Sequence, residues 1–309
     1  MNMKKKIGII GLGRMGGGIA QNLLDHKWKV IGYNRTEAVT KELEKVGLEG
    51  AYSLSELAEK LEAPRVVFLM LTADGANDEV IFGKNGLTSY LEKGDIIIDG
   101  GNSFYKKAIE TSEKLEKHGI IFMDAGISGG PGGARNGACS MVGGDQKTFD
   151  YVEDIFKDIS IPNGYMHFEG VGAGHFVKMV HNGIEYGMMQ SIAEGFEIMQ
   201  KSPFKLNLID VTEIYQHGSV VTSRLVGWLQ DAFKKYGQEL EGVSGAVGYT
   251  GEGEWTAKTA SDFKVPAKII EESFKFRVAS QKEPSFTGKL LTGMRNQFGH
   301  HSIEKGKMT

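Results

Sequence analysis

The sequence predicts an α/β protein, with an N-terminal doubly wound parallel sheet followed by an all-α C-terminal domain. Three observations predict it. Short apolar runs rich in Ile and Val alternate with longer amphipathic stretches through the first half, the pattern of strands buried on both faces between covering helices. After Gly174 the alternation stops and helical spacing dominates. Between the two halves, Gly170, Gly172 and Gly174 make a flexible joint, which divides the chain into domains 1–172 and 173–309. The length of 309 residues agrees with two domains at about 150 residues each.

Taken in order, strands are expected at 6–12, 28–33, 65–71, 95–99 and 119–124, with two further pieces near 140–142 and 165–168 extending the sheet. Helices at 15–26, 37–46, 55–61 and 105–117 separate them, joined by right-handed crossovers. In the second half helices are expected at 176–200, 208–217, 223–236 and 266–279, interrupted by a Gly-rich break at 242–253. The polar stretch from Gly299 to Thr309 reads as an extended or partly disordered tail.

Composition narrows the function classes. Hydrophobic residues at 40% and charged residues at 24% are globular values, whereas 43 glycines are about twice the usual share. A net charge of −3 supplies no bulk positive field for nucleic acid or an anionic membrane. Lys4-Lys5-Lys6 before an apolar run imitates a signal peptide. The run is short, Arg14 ends it, and no small-residue cleavage site follows. Together with a single cysteine, Cys139, this predicts a cytoplasmic protein. Cys139 itself is expected to be a small buried residue. No His/Cys/Asp cluster has zinc-like spacing, so no metal is expected.

The first chemistry-bearing motif is Gly11-Leu12-Gly13-Arg14-Met15-Gly16, a G-x-G-x-x-G turn. It follows an apolar strand and opens an amphipathic helix, the context a dinucleotide-binding Rossmann-type domain requires. Gly11 permits the tight turn, Gly13 lets backbone approach a pyrophosphate, and Gly16 lets helix and strand pack closely. The helix N-terminus offers N–H groups to the phosphate. Arg14 fits either cofactor phosphate or solvent. At the end of the second strand, Tyr33-Asn34-Arg35-Thr36 lacks the carboxylate that an NAD site uses for the ribose. Arg35 can instead pair with a 2′-phosphate while Asn34 and Thr36 donate hydrogen bonds, which favours NADP over NAD. The same residues also fit a helix N-cap at Thr36 with a solvated Arg35.

The densest chemistry lies in Gly174-His175-Phe176-Val177-Lys178-Met179-Val180-His181-Asn182-Gly183-Ile184-Glu185-Tyr186. On one helix, Lys178, His181, Asn182, Glu185 and Tyr186 fall within an arc of roughly 140°. A lysine and a glutamate on one face make a base and an acid, provided Lys178 is neutral and Glu185 protonated when they act. A solvated polar face would have the same periodicity, but not this concentration of titratable groups between glycines.

This helix resembles the signature helix of the 6-phosphogluconate dehydrogenases, which oxidise and decarboxylate 6-phosphogluconate to ribulose 5-phosphate in the pentose phosphate pathway. The resemblance extends along nearly the whole chain. It includes Asp99-Gly100-Gly101-Asn102-Ser103, Gly126-Ile127-Ser128-Gly129-Gly130, Gly251-Glu252-Gly253-Glu254-Trp255-Thr256, Arg277 and Arg295-Asn296-Gln297-Phe298-Gly299-His300-His301. It implies that Lys178 is the base for the 3-hydroxyl and Glu185 the acid that protonates C1. Asn102, Ser128, Gly129, Gly130, His181 and Asn182 would orient the substrate, and Asn102 would also touch the cofactor. Tyr186 and Arg277 would hold the phosphate. The resemblance further implies a homodimer or homotetramer in which Arg295 and His301 of the C-terminal tail reach the neighbouring site.

The chain is shorter than the long form of the family and resembles a short subgroup that often prefers NAD, so both cofactors stay open. The stretch 131–137 after Gly130 looks closer to the long form. The lysine and threonine that the long form places near the phosphate are replaced by Thr250 and Glu252. The alternative function is that of a β-hydroxyacid dehydrogenase acting on a small 3-hydroxy acid. It shares the glycine turn, the Ser-Gly-Gly loop and the helix lysine, but has no use for a phosphate clamp.

Overall fold

The computed structural model describes residues 3–71 and 75–304. It divides into two compact units, Met1–Lys178 and Met179–Thr309.

The first unit alternates strand and helix as far as its last strands. In chain order it contains β1 (Lys6–Ile10), α1 (Arg14–Asp25), β2 (Lys29–Tyr33), α2 (Glu37–Glu44), β3 (Glu49–Ala51), α3 (Leu54–Lys60), β4 (Val66–Leu69), α4 (Ala76–Phe82), β5 (Ile96–Asp99), α5 (Tyr105–Glu116), β6 (Ile121–Ser128), α6 (Gly130–Asn136), β7 (Ala138–Gly144), α7 (Gln146–Ile159) and β8 (Ser160–Glu169). They form one eight-stranded sheet in the order β3-β2-β1-β4-β5-β6-β7-β8.

Alternation along the strands explains the two covered faces. Ile7 and Ile9 of β1 and Phe68 of β4 join Ile19 and Leu23 of α1 and Phe156 of α7 in one core. Ile10, Val67 and Leu69 join Leu57 of α3 and Leu115 of α5 in the other. The order reverses at β1, with β2 on one side and β4 on the other. In open sheets of this kind the crevice at such a reversal takes the ligand.

Several expectations need correction. The sheet is not wholly parallel, because β6 and β7 pair antiparallel in register Asp124↔Gly143 through Ser128↔Cys139. The helix α6 connects them, so the chain turns back rather than crossing over. Strand β3 and helices α4, α6 and α7 were not expected. Cys139 is exposed rather than buried, since it occupies an outward position of β7.

Helix α8 (Ala173–Gln200) begins in the first unit and ends in the second. The second unit continues with α9 (Leu208–Tyr215), α10 (Arg224–Tyr236), α11 (Gly251–Asp262), α12 (Lys268–Ser280) and α13 (Phe286–Gly299). Its core gathers Met189, Ala193 and Phe196 of α8, Leu229 and Phe233 of α10, and Leu290, Leu291 and Met294 of α13.

The expected Gly-rich break is shorter than 242–253, because Gly251 and Gly253 already belong to α11. The expected extended tail is partly folded. Helix α13 ends on His300 in the left-handed conformation, Nδ2 of Asn296 donates to the His301 carbonyl at 2.7 Å, and the Ser244 N–H donates to the Ile303 carbonyl at 2.9 Å. Residues 305–309 of that tail lie outside the described residues. Among the described residues, no helix is long and apolar enough to cross a membrane.

Candidate active site

The glycine turn joins β1 to α1. Gly11 has φ +90°, and a Cβ there would overlap the Met70 carbonyl. A Cβ on Gly16 would overlap the Gly11 carbonyl. Both positions therefore exclude any other residue for reasons of turn geometry and close packing. Gly13 differs, since a Cβ there meets nothing within 4 Å. Its glycine has no packing reason within the chain, and open space over backbone N–H groups at a helix N-terminus is what a pyrophosphate needs. The turn thus fits a dinucleotide.

Asn34 braces the turn. Its Oδ1 accepts from the Leu12 N–H at 3.0 Å, and its Nδ2 donates to the Thr36 carbonyl at 3.2 Å. Its side-chain amide therefore serves the loop before it can serve a ribose. Thr36 occupies the N-cap of α2 without a side-chain cap bond. Arg35 is exposed beside it, with no ion pair among the described residues. Arg14 and Met15 open α1, Arg14 exposed and Met15 half-buried.

Asn102 lies exposed in the loop between β5 and α5. That loop is organised by Asp99, whose carboxylate accepts from the Gly101 N–H at 2.9 Å, Ser103 Oγ at 2.8 Å and Asn77 Nδ2 at 3.0 Å. Ser128, Gly129 and Gly130 form the turn from β6 into α6, with both glycines at positive φ.

Lys178 is buried, at 8% exposure, in the second turn of α8. Its position is set by β6, because a Cβ on Gly126 would overlap the Lys178 Cβ. The start of α8 is held by Asp124 of the same strand. Its carboxylate accepts from the N–H groups of Gly172 at 2.5 Å and His175 at 2.6 Å, which otherwise would be unpaired donors at a helix N-terminus. Burial pushes the Asp124 carboxyl above the usual range, against the pull of His175 and the two N–H donors. The sequence reading missed this brace. An acid ending the apolar run Ile121-Phe122-Met123 was the available signal.

Further along α8, His181 Nδ1 lies 2.9 Å from Asn182 Oδ1 and 3.9 Å from the Glu185 carboxylate. Glu185 is seven residues, or two helical turns, beyond Lys178 on the same face, roughly 10 Å along the axis.

The second unit brings the predicted phosphate residues together. Tyr186 is buried, and the Arg277 guanidinium of α12 stacks 3.3 Å above its ring centroid. The Tyr186 hydroxyl accepts from the Thr250 N–H at 3.3 Å, just before α11. Helix α11 can come this close because a Cβ on Gly253 would stand 2.5 Å from the Tyr186 ring. Arg277 is 1% exposed and its Nε has no hydrogen-bond partner among the described residues. Burial lowers its pKa, opposed by Tyr186, Glu185 and Glu252.

Arg295 of α13 joins the same cluster from its own chain. Burial, then the Arg277 charge, pushes its pKa down to about 10, again opposed by Tyr186, Glu185 and Glu252. Two cations held near each other out of water, one with an unused donor, form a site for an anion. His301 lies just beyond α13, its ring edge-on to Phe298.

Comparison with known proteins gives the family. The model of the NAD binding domain of 6-phosphogluconate dehydrogenase matches residues 6–168, and that of the 6-phosphogluconate dehydrogenase C-terminal domain matches 174–287. The chain belongs to the 6-phosphogluconate dehydrogenase family.

A Bacillus subtilis protein provisionally named a 6-phosphogluconate dehydrogenase is 42% identical over 97% of this chain and 99% of its own. The NAD(+)-dependent, decarboxylating 6-phosphogluconate dehydrogenase of Haloferax volcanii is 32% identical over 97% and 99%. The solved Plasmodium falciparum 6-phosphogluconate dehydrogenase, described with NADP+ and with 6-phosphogluconate, superposes with a TM-score of 0.81 at 30% identity. It covers 98% of this chain and 67% of that longer one. This member of the family therefore matches short relatives end to end and long ones in part.

Proposed function

We propose that this family member oxidises and decarboxylates 6-phosphogluconate to ribulose 5-phosphate and CO2. The observation that carries the reading is the pair of buried arginines, Arg277 and Arg295, beside Tyr186 and near Glu185. A small unphosphorylated acid would leave the two cations with only the carboxylates of Glu185 and Glu252 near them and the Arg277 Nε donor unused, whereas a phosphate dianion completes their pairing.

In this account the first unit holds the dinucleotide through Gly11, Leu12, Gly13, Arg14, Met15 and Gly16, with Asn102 near it. The second unit holds the phosphate through Tyr186, Arg277 and Arg295. Bound in the glycine turn, a nicotinamide dinucleotide supplies the acceptor for the hydride that leaves C3.

Lys178 takes the proton of the 3-hydroxyl as that hydride leaves. The product is a β-keto acid, so the C1–C2 electron pair released as CO2 departs enters the 3-carbonyl and forms an enediol. Lys178 returns its proton to that oxygen. Glu185 then delivers a proton to C1, the carbon that lost the carboxyl group in the numbering of the product, while Lys178 takes back the proton of the adjacent hydroxyl to leave the ketone. Ser128, Gly129, Gly130, His181 and Asn182 orient the carboxylate and hydroxyls.

The cofactor is proposed to be NADP. Support comes from the exposed Arg35 at the end of β2 and from the lack of a carboxylate among Asn34, Arg35 and Thr36. The chain is also proposed to work as a homo-oligomer. Exposed apolar side chains along α8 and its neighbours support a second copy as their cover, among them Ile184, Met188, Ile198, Ile214 and Ile269. In that assembly His301 serves a neighbouring site.

Initial rates of NADP and NAD reduction with 6-phosphogluconate, measured side by side, test the reading. Turnover preferring NADP is expected. No rate with either dinucleotide would remove the proposal, and a preference for NAD would remove the role given to Arg35.

A further inference from the structure

The first turn of α11 puts a buried carboxylate into the anion cluster. Glu252 is 4% exposed. Its Oε1 accepts from Asn182 Nδ2 at 3.3 Å, whereas its Oε2 is buried without a hydrogen-bond partner among the described residues. It is near enough to Arg277 and Arg295 to act on both charges. It is also fixed in place. Thr256 Oγ1, one turn on, donates to the Met179 carbonyl of α8 at 2.8 Å, and Gly253 lies directly under the Tyr186 ring. These contacts hold the first turns of α11, and with them the Glu252 backbone, against α8.

Two effects of opposite sign follow. The negative charge opposes any anion approaching the two arginines, so a bare phosphate loses part of what the arginines offer. The unpartnered oxygen is an acceptor without a donor, a costly state in a buried site. A hydroxyl on the same molecule as the phosphate supplies that donor and recovers the cost. A phosphorylated polyol meets both effects, whereas inorganic phosphate meets only the repulsion.

We propose that Glu252 is a specificity-determining residue of this site, selecting a phosphate ester that carries a neighbouring hydroxyl over a bare phosphate. The proposal rests on reading the Arg277–Arg295 cluster as the phosphate site.

The test compares the wild-type chain with Glu252→Gln and Glu252→Met. KM for 6-phosphogluconate and the competitive Ki of inorganic phosphate are measured at one ionic strength, with either dinucleotide. Thermal melting establishes that each variant is folded, and the Gln variant keeps the shape and the Asn182 bond. Removing the charge is expected to lower the phosphate Ki about threefold to tenfold in both variants. Removing the acceptor is expected to raise KM in Glu252→Met, so that the ratio of Ki to KM falls at least about tenfold. An unchanged Ki, or Ki and KM moving together by one factor, would overturn the proposal. A wild-type chain that neither turns over 6-phosphogluconate nor is inhibited by phosphate would instead overturn the phosphate reading, and Glu252's role with it.

Discussion

Replacing Arg277 by Met probes the anion cluster directly. Arg277 is fully buried, its guanidinium lies flat on Tyr186 at 3.3 Å, and its Nη2 contacts Met189 Sδ at 3.6 Å. Methionine fills most of the same volume and keeps a soft contact with the ring. The substitution removes a desolvated charge and the repulsion felt by Arg295, so the melting temperature is expected to hold or rise.

The loss falls on the substrate. Truncating one partner of a buried, hydrogen-bonded charge pair costs about 2–5 kcal/mol. At about 1.4 kcal/mol per decade, KM for 6-phosphogluconate should rise roughly 30-fold to several thousandfold. KM for the dinucleotide should not move, because the glycine turn is untouched. Steady-state kinetics with each substrate varied in turn, alongside a thermal melt, gives the answer. A folded variant whose KM for 6-phosphogluconate stays within twofold of wild type would refute the assignment of Arg277. Equal rises in both KM values would refute it as well.

Further outcomes are expected for five variants. Lys178→Ala should lower kcat about 10²–10⁴-fold while dinucleotide binding by fluorescence titration is kept, as removal of a general base predicts. Gly13→Ala should fold with unchanged melting temperature, since its Cβ meets nothing, yet bind dinucleotide more weakly. Gly16→Ala, whose Cβ overlaps the Gly11 carbonyl, should lose stability as well. Arg35→Ala should reduce the ratio of NADP to NAD in kcat/KM, an effect read from the two specificity constants. Glu197 ties α8 to α13 through Thr287 and pairs with Lys201, and these bonds hold its carboxyl below the usual range. A carboxyl lowered on folding stabilises above its ordinary pKa and loses that contribution as pH falls through the lowered value. Glu197→Gln should therefore cost about 1.5–3 kcal/mol at pH 7 in urea unfolding, and less near pH 3.

Much of the fold was legible because long apolar runs bounded by glycine specify buried strands. The elements that escaped are those whose local signal is weak. Strand β3 is only Glu49-Gly50-Ala51, and its pairing with β2 rather than its composition makes it a strand. Helix α6 carries three glycines in seven residues and looks like a loop. Helix α11 opens with Gly251-Glu252-Gly253, where Gly253 serves close approach to Tyr186 and Gly251 lies against the Trp255 indole. The antiparallel turn-back at β7 is a tertiary choice that periodicity cannot express.

Among candidate site residues, Lys178 and Glu185 stand out from their spacing on one helix. Glu252 and Asp124 were not given roles, because their roles depend on what other segments bring to them. Arg295 was expected at a neighbouring subunit's site, and within its own chain it is near enough to Arg277 to feel that charge.

The central claim is that oxidation at C3 and loss of C1 are coupled on one site. It is tested most directly by following 6-phosphogluconate labelled with carbon-13 at C1 by NMR while the reduced dinucleotide is read optically. The account predicts labelled CO2, ribulose 5-phosphate and reduced dinucleotide in equal amounts. Reduced dinucleotide formed without labelled CO2, or oxidation of small 3-hydroxy acids at a rate matching that of 6-phosphogluconate, would contradict it.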